Sequence, residues 1–261
     1  MARKKTTEKI IVANWKMYKT SHEATRYIEE LLPLIQGLEA KILLAVPYTS
    51  IAAAAKEAKG SALLIGAQNM CDASEGAFTG EIAAIMLKEA GAEFVLLGHS
   101  ERRRVFHESN ELIRRKVARA LQDDLIPILC VGETLEEREA GRMEEVLHTQ
   151  LAECLQDIPE EALAKLMVAY EPVWAIGTGK SATPKIAADA HEHCRKILIK
   201  LLGKKVGGSV PVLYGGSVNA ENAADLAMQN EIGGVLIGGA SLNAKTLAKI
   251  AERCTLNKEK S

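Results

Sequence analysis

No apolar run in the 261-residue sequence approaches the roughly 18 residues that a membrane-spanning helix needs. A strong charge of either sign is also missing. With 33 Lys and Arg against 34 Asp and Glu, the formal net charge is −1, so no overall field draws nucleic acid or anionic lipid. There is no CxxC pair. The five cysteines (Cys71, Cys130, Cys154, Cys194 and Cys254) are odd in number and scattered, which suits reduced thiols better than a disulfide framework or a zinc site. The cytoplasm is the compartment expected from that usage. Near the start, Arg3, Lys4 and Lys5 form a small basic cluster, but no apolar h-region of a targeting signal follows it. Residues 1–8 and 255–261 are expected to be frayed, solvated ends. No composition shift, linker or low-complexity segment marks an internal boundary, so residues 1–261 read as a single domain.

What is present is material for a large core: 48% of the residues are apolar and 26% charged. Short strand-like runs recur along the whole chain. They cover Ile10–Asn14, Lys41–Val46, Leu63–Ala67, Phe94–Gly98, Ile126–Val131, Leu166–Glu171, Val212–Tyr214 and Gly234–Ile237. They show almost no polar alternation, as parallel strands buried on both faces require. Between them lie helix-forming stretches at Ser21–Leu34, Thr49–Ala58, Glu81–Ala90, Asn110–Gln122, Arg142–Leu155, Pro184–Leu202 and Asn222–Met228, and Ala240–Cys254 closes the series. Ser21, Asn110 and Asn219 are cap-type residues, and Pro184 suits a first turn. The alternation predicts an α/β fold with a parallel sheet and crossover helices. An open doubly wound sheet gives a similar pattern, but eight uninterrupted repeats favour closure into a (β/α)8 barrel.

In such a barrel, reactive groups belong at the carboxyl ends of the strands. The polar residues follow that rule: Asn14-Trp15-Lys16, Gln68-Asn69, His99-Ser100-Glu101-Arg102, Glu171-Pro172, Gly215-Gly216-Ser217 and Gly238-Gly239-Ala240-Ser241 all stand there. The two glycine pairs admit a phosphate to the backbone, at the loops where barrels of this kind usually bind one. Gly239 is expected at the start of the last helix, where an anion is favoured. Either pair alone reads equally well as a tight turn. Glu171 alone would read as a salt-bridge partner. It is followed, however, by Val173-Trp174-Ala175-Ile176-Gly177-Thr178-Gly179-Lys180, a glycine-containing loop with apolar side chains to exclude water from a carboxylate base. A helical turn beginning after His99 would disfavour imidazolium and leave a neutral hydrogen-bond donor. Lys16 would face a substrate anion, with Glu101 to hold it. His191-Glu192-His193-Cys194 has the look of a metal cluster, but on a helix the two histidines point to different faces.

These segments together resemble the triosephosphate isomerase family. The motifs that carry the resemblance are Asn14-Trp15-Lys16-Met17, Gly76-Ala77-Phe78-Thr79-Gly80-Glu81, Gly98-His99-Ser100-Glu101-Arg102-Arg103 and Cys130-Val131-Gly132-Glu133. They continue with Ala169-Tyr170-Glu171-Pro172-Val173-Trp174-Ala175-Ile176-Gly177-Thr178-Gly179, Tyr214-Gly215-Gly216-Ser217-Val218 and Gly238-Gly239-Ala240-Ser241-Leu242. They stand in the family's order from about residue 10 to 254. The resemblance implies a TIM barrel that interconverts dihydroxyacetone phosphate and D-glyceraldehyde 3-phosphate through an enediolate, with no cofactor and no metal. Glu171 would carry the proton, neutral His99 would polarise the carbonyl, and Lys16 would stabilise negative charge. Asn14, Gly177, Ser217, Gly238 and Gly239 would contact the substrate. A homodimer is also implied, with Thr79 on the Gln68–Glu81 loop docking near the partner's site; no nucleic acid or membrane partner is expected. Two positions depart from the family pattern. His107 stands where glycine is commoner, and Lys180-Ser181-Ala182 replaces a lysine-threonine-alanine.

Rival readings are weaker. An imine-forming aldolase wants a lysine deep in the barrel, and a metal epimerase wants converging His and Asp ligands at strand ends, where only His99 qualifies. A non-catalytic phosphosugar-binding barrel could lose Lys16, His99 or Glu171 without cost, yet all three are present.

Overall fold

The structure, a computed structural model, describes residues 8–176 and 182–255. The basic cluster at residues 3–5, the expected frayed ends apart from Glu8 and Thr255, and residues 177–181 of the expected lid loop lie outside the described residues. Eight parallel strands form a closed barrel in sequence order. They are β1 (Lys9–Asn14), β2 (Ala40–Val46), β3 (Leu64–Ala67), β4 (Phe94–Leu97), β5 (Ile126–Val131), β6 (Met167–Tyr170), β7 (Val212–Tyr214) and β8 (Gly234–Ile237). Closure is made by β1 pairing with β8, Ile10 opposite Gly234 and Ala13 opposite Ile237.

The burial explains why the strands lack alternation. Ile10, Val12, Leu43, Phe94, Leu96 and Ile128 belong to a core cluster inside the barrel. Their neighbours Ile11, Ala13, Leu44, Val95, Leu97 and Leu129 belong to a second cluster shared with the helices. Period-two side chains thus meet two apolar environments, and both faces must be hydrophobic.

The helices are α1 (Ser21–Ile35), α2 (Ile51–Ala58), α3 (Ala84–Glu89), α4 (Ser100–Val105), α5 (Asn110–Gln122), α6 (Leu135–Glu139), α7 (Met143–Leu155), α8 (Pro184–Leu202), α9 (Ala223–Ala227) and α10 (Ala244–Thr255). Several expected starts shift. The cap of α1 is Thr20, not Ser21: its side chain accepts from Glu23 N–H while Glu23 reaches back, a reciprocal capping box. Ser109, not Asn110, caps α5. Asn222, not Asn219, is the residue before α9, while Asn219 Oδ1 accepts from the N–H groups of Glu221 and Asn222. A cap needs extended backbone outside the helix, and Thr20 and Ser109 adopt it. Pro184 does open α8, behind the cap Thr183. The expected Ala240–Cys254 helix is broken. Gly239–Leu242 forms a 3₁₀ turn and α10 starts only at Ala244, so Gly239 does not head the last helix. Thr255, expected to fray, is its last residue.

All five cysteines are unpaired and buried. Burial pushes the Cys194 thiol up to about 12 and the Cys254 thiol up to about 11, and Cys130 is likewise raised. Among the described residues no helix is long and apolar enough to cross a membrane.

Candidate active site

The strand exits bring Asn14, Lys16, His99, Glu101 and Glu171 together. Lys16 follows β1 with φ at 53°, a left-handed conformation that a lysine adopts only when its surroundings hold it. Asn14 Oδ1 accepts from Lys16 N–H at 2.9 Å, and Gln68 Nε2 donates to Lys16 O at 2.8 Å and to Ala45 O at 3.0 Å. The exits of β1, β2 and β3 therefore fix the lysine's backbone together. Its Nζ lies 2.6 Å from Glu101 Oε1, and its chain passes beside Gly238.

His99 sits at the N-cap of α4, and its Nδ1 accepts the Glu101 N–H at 3.2 Å. With Nδ1 accepting, the ring proton belongs on Nε2. Nε2 lies 3.0 Å from Oε1 of Glu171. The other Glu171 oxygen accepts the Ser100 N–H at 2.9 Å. Glu171 is 2% exposed, a carboxylate almost out of water that lies beside the His99 imidazole and accepts one backbone amide at a helix start. Two glycines make room for it. A Cβ on Gly132 would fall 1.8 Å from Glu171 O, and one on Gly215 would fall 2.9 Å from Glu171 Cγ. The second member of that pair, Gly216, yields to the Tyr214 hydroxyl. Packing around Glu171 and Tyr214 thus demands a glycine pair that also suits a phosphate.

Gly238 and Ser217 are partly buried at the β8 and β7 exits, and Gly239 is exposed. Gly238 O accepts from Ser241 N–H and Oγ, while Ser217 O accepts from Asn222 Nδ2. Gly177 lies outside the described residues. Thr79 stands on the exposed tip of the β3–α3 loop, whose stem is closed by Cys71 N–H donating to Ile82 O. A cavity of about 290 Å³ beside the site is lined by Asn14, Lys16, Gln68, His99 and Glu101 together with Met17, Tyr48 and Phe106.

The sequence reading assigned no role to Glu133, Tyr170 or Arg103. Glu133 is fully buried. Its Oε1 accepts from Tyr170 Oη at 2.9 Å, Trp174 Nε1 at 2.9 Å and Arg138 Nη1 at 3.0 Å, and its backbone O accepts from Val173 N–H. The carboxylate ties the β5 exit to the start of the loop after β6. The signal was its place in the Cys130-Val131-Gly132-Glu133 motif, but Tyr170 and Trp174 come from the next strand and the loop after it. His191 and His193 do part company: the first is fully buried and the second pairs with Glu144. Among the described residues no three His, Cys, Asp or Glu side chains form a group that could hold a metal ion.

Residues 9–254 match the family model described as triosephosphate isomerase. A triosephosphate isomerase from Protochlamydia amoebophila is 51% identical over 241 residues, covering 92% of this chain and 91% of its own. One from Dictyoglomus thermophilum is 46% identical, with 94% and 98% covered. A crystal structure of triosephosphate isomerase from Bartonella henselae superposes with a TM-score of 0.85 at 37% identity, over 94% of this chain and 98% of that one. A barrel with these groups at its strand exits, and this likeness along nearly its whole length, make the chain an enzyme of the triosephosphate isomerase family.

Proposed function

We propose that this isomerase interconverts dihydroxyacetone phosphate and D-glyceraldehyde 3-phosphate by moving one proton between adjacent carbons. The observation that carries the mechanism is the buried Glu171 carboxylate facing His99 Nε2 at 3.0 Å. A bound triose carbonyl would take the Nε2–H of the ring that faces Glu171. The carboxylate then removes the proton from the neighbouring carbon, the electron pair passes into an enediolate, and the same carboxylate returns the proton to the other carbon. His99, as a neutral donor, and the Lys16 ammonium would stabilise the charge that develops on the oxygens, with Asn14 contacting the substrate. Glu101 supports both groups, through Lys16 Nζ and through its N–H to His99 Nδ1. The substrate phosphate would lie among Lys16, Ser217, Gly238, Gly239 and the lid's Gly177, in the expected manner of the family. Proton transfer of this kind calls for no cofactor.

A homodimer fits the surface. Met17 is 94% exposed, and Phe78, Met86, Val105 and Phe106 are each about half exposed or more, on the β1, β3 and β4 exits and α3. Apolar side chains in such number on neighbouring loops call for a cover. A second copy's β3–α3 loop, with Thr79 at its tip, would enter the cavity beside Lys16. The cytoplasm is the proposed compartment.

The test of the chemistry is Glu171→Gln, assayed with D-glyceraldehyde 3-phosphate and coupled reduction of the product. Turnover should fall by orders of magnitude while a non-reacting phosphate analogue still binds. Near-normal turnover rules Glu171 out as the base.

A further inference from the structure

Arg103 is not among the groups proposed to touch substrate, yet its guanidinium occupies the seam between the β4 exit, which carries His99, and β5, which lies between β4 and the β6 exit of Glu171. Nε donates to Gly98 O at 2.8 Å, Nη2 to Cys130 O at 3.1 Å, and Nη1 to Asn110 Oδ1. Gly98 immediately precedes His99 and has φ at 69°. The β4–β5 ladder ends with Leu97 opposite Leu129, so both carbonyls lie just past the last paired residues. There the sheet no longer joins the two chains, and the guanidinium does.

The backbone of Arg103 adds to this. Its N–H and that of Arg102 donate to His99 O, at 3.2 and 2.7 Å. Arg103 therefore holds the peptide groups on both sides of His99, one by its side chain and one by its main chain. On the far side, Cys130 and Val131 pair with Ala169 and Tyr170, and Val131 O accepts from Glu171 N–H at 2.7 Å. A short run of contacts thus leads from His99 through Gly98, Arg103, Cys130 and Val131 to Glu171.

We propose that Arg103 is a positioning residue for the isomerisation: it sets the His99–Glu171 spacing by tying the β4 exit to the β5 exit. The proposal rests on the reading of His99 and Glu171 as the reacting pair. Arginine is the side chain the geometry demands, because a planar fork presents donors at fixed angles to two carbonyls and an amide at once. A lysine ammonium reaches one or two of them without fixing the plane. The three oxygens are neutral, so the bonds orient rather than neutralise. The nearest carboxylate in the chain of bonds is Glu153, one step away through Asn110 Nδ2 at 2.9 Å.

The experiment compares Arg103→Lys, Arg103→Ala, His99→Gln and Glu171→Gln as purified proteins. Arg103→Lys keeps the charge and should lose about 10- to 100-fold in kcat, with KM within a few-fold, because a misplacement of about 1 Å at reacting groups costs on the order of 100-fold. The His99 ring resonances in ¹⁵N-labelled Arg103→Lys should shift from those of the unsubstituted protein. Guanidinium ion should restore part of the activity of Arg103→Ala, and ammonium should not. Unchanged kcat and His99 resonances in Arg103→Lys, with only a lower Tm, would overturn the proposal, as would rescue by neither ion or by both alike. If His99→Gln and Glu171→Gln keep full turnover, the reading of the site has failed. If they are inactive while Arg103→Lys is unimpaired, only the positioning role has.

Discussion

His191 offers a measurement of what burying one imidazole in this barrel costs at low pH. The ring lies on α8, fully buried, 5.9 Å from the Tyr170 ring and 6.3 Å from the Tyr214 ring, with Nδ1 3.3 Å from Glu231 O. Burial lowers its pKa from 6.5 to about 3; the Glu231 carbonyl offsets this only in part, and the charges of Arg195 and Lys9 act in the same direction as burial. The folded pKa is depressed, so between pH 6.5 and 3 the unfolded chain binds more protons than the folded one. The neutral ring's contribution is therefore intact above pH 6.5 and lost as pH falls towards 3. At 1.36 kcal/mol per unit, the loss due to His191 is about 2 kcal/mol by pH 5 and on the order of 5 kcal/mol at pH 3. Urea unfolding at pH 7.5 and pH 5.0, at one protein concentration, gives the fall in stability for the unsubstituted protein and for His191→Gln. The fall should be smaller in the variant by about 2 kcal/mol, whatever the variant's absolute stability. Equal falls in the two proteins, or a His191 ring signal that titrates near 6.5 in the folded state, would refute the reasoning.

Gly132→Ala should lower kcat by about 100-fold or more in protein that is still folded by circular dichroism, since the added methyl displaces the main chain of Glu171; kcat within a factor of two would contradict that contact. His107, exposed and held at φ 55°, should give way to glycine with a gain of about 0.5–1 kcal/mol, the relief of left-handed strain outweighing the entropy glycine adds to the unfolded chain. Chemical unfolding checks this, and a net loss would mean the strain is absent. Activity per chain should drop when dilution dissociates the protein, as followed by sedimentation; full activity in a proven monomer would remove Thr79 and its loop from the neighbour's site.

Much of the fold is legible in the sequence because a parallel barrel leaves its strands no polar face. Ile10–Ala13, Ile126–Val131 and Gly234–Ile237 are continuous apolar runs for the reason that one set of side chains fills the barrel and the other meets the helices. Helix starts are less legible. Thr20 and Ser21 are both competent caps, and only the backbone conformation chooses between them. At position 107 the resemblance led to an expectation of glycine, and only the structure shows that His107 stands in a left-handed conformation there.

The sequence by itself determined which polar side chains collect at the strand exits, since once the strands are parallel and closed, every exit faces the same end. Only the tertiary structure decided what those side chains touch. Lys16 meets Glu101 across 85 positions of sequence, Glu133 gathers Tyr170 and Trp174 from the next strand and its loop, and Arg103 reaches across to Cys130. Local pattern reports burial and periodicity over a few residues. Contacts of this kind depend on how far each strand runs before its neighbour ends, and that is set by closure of the whole barrel.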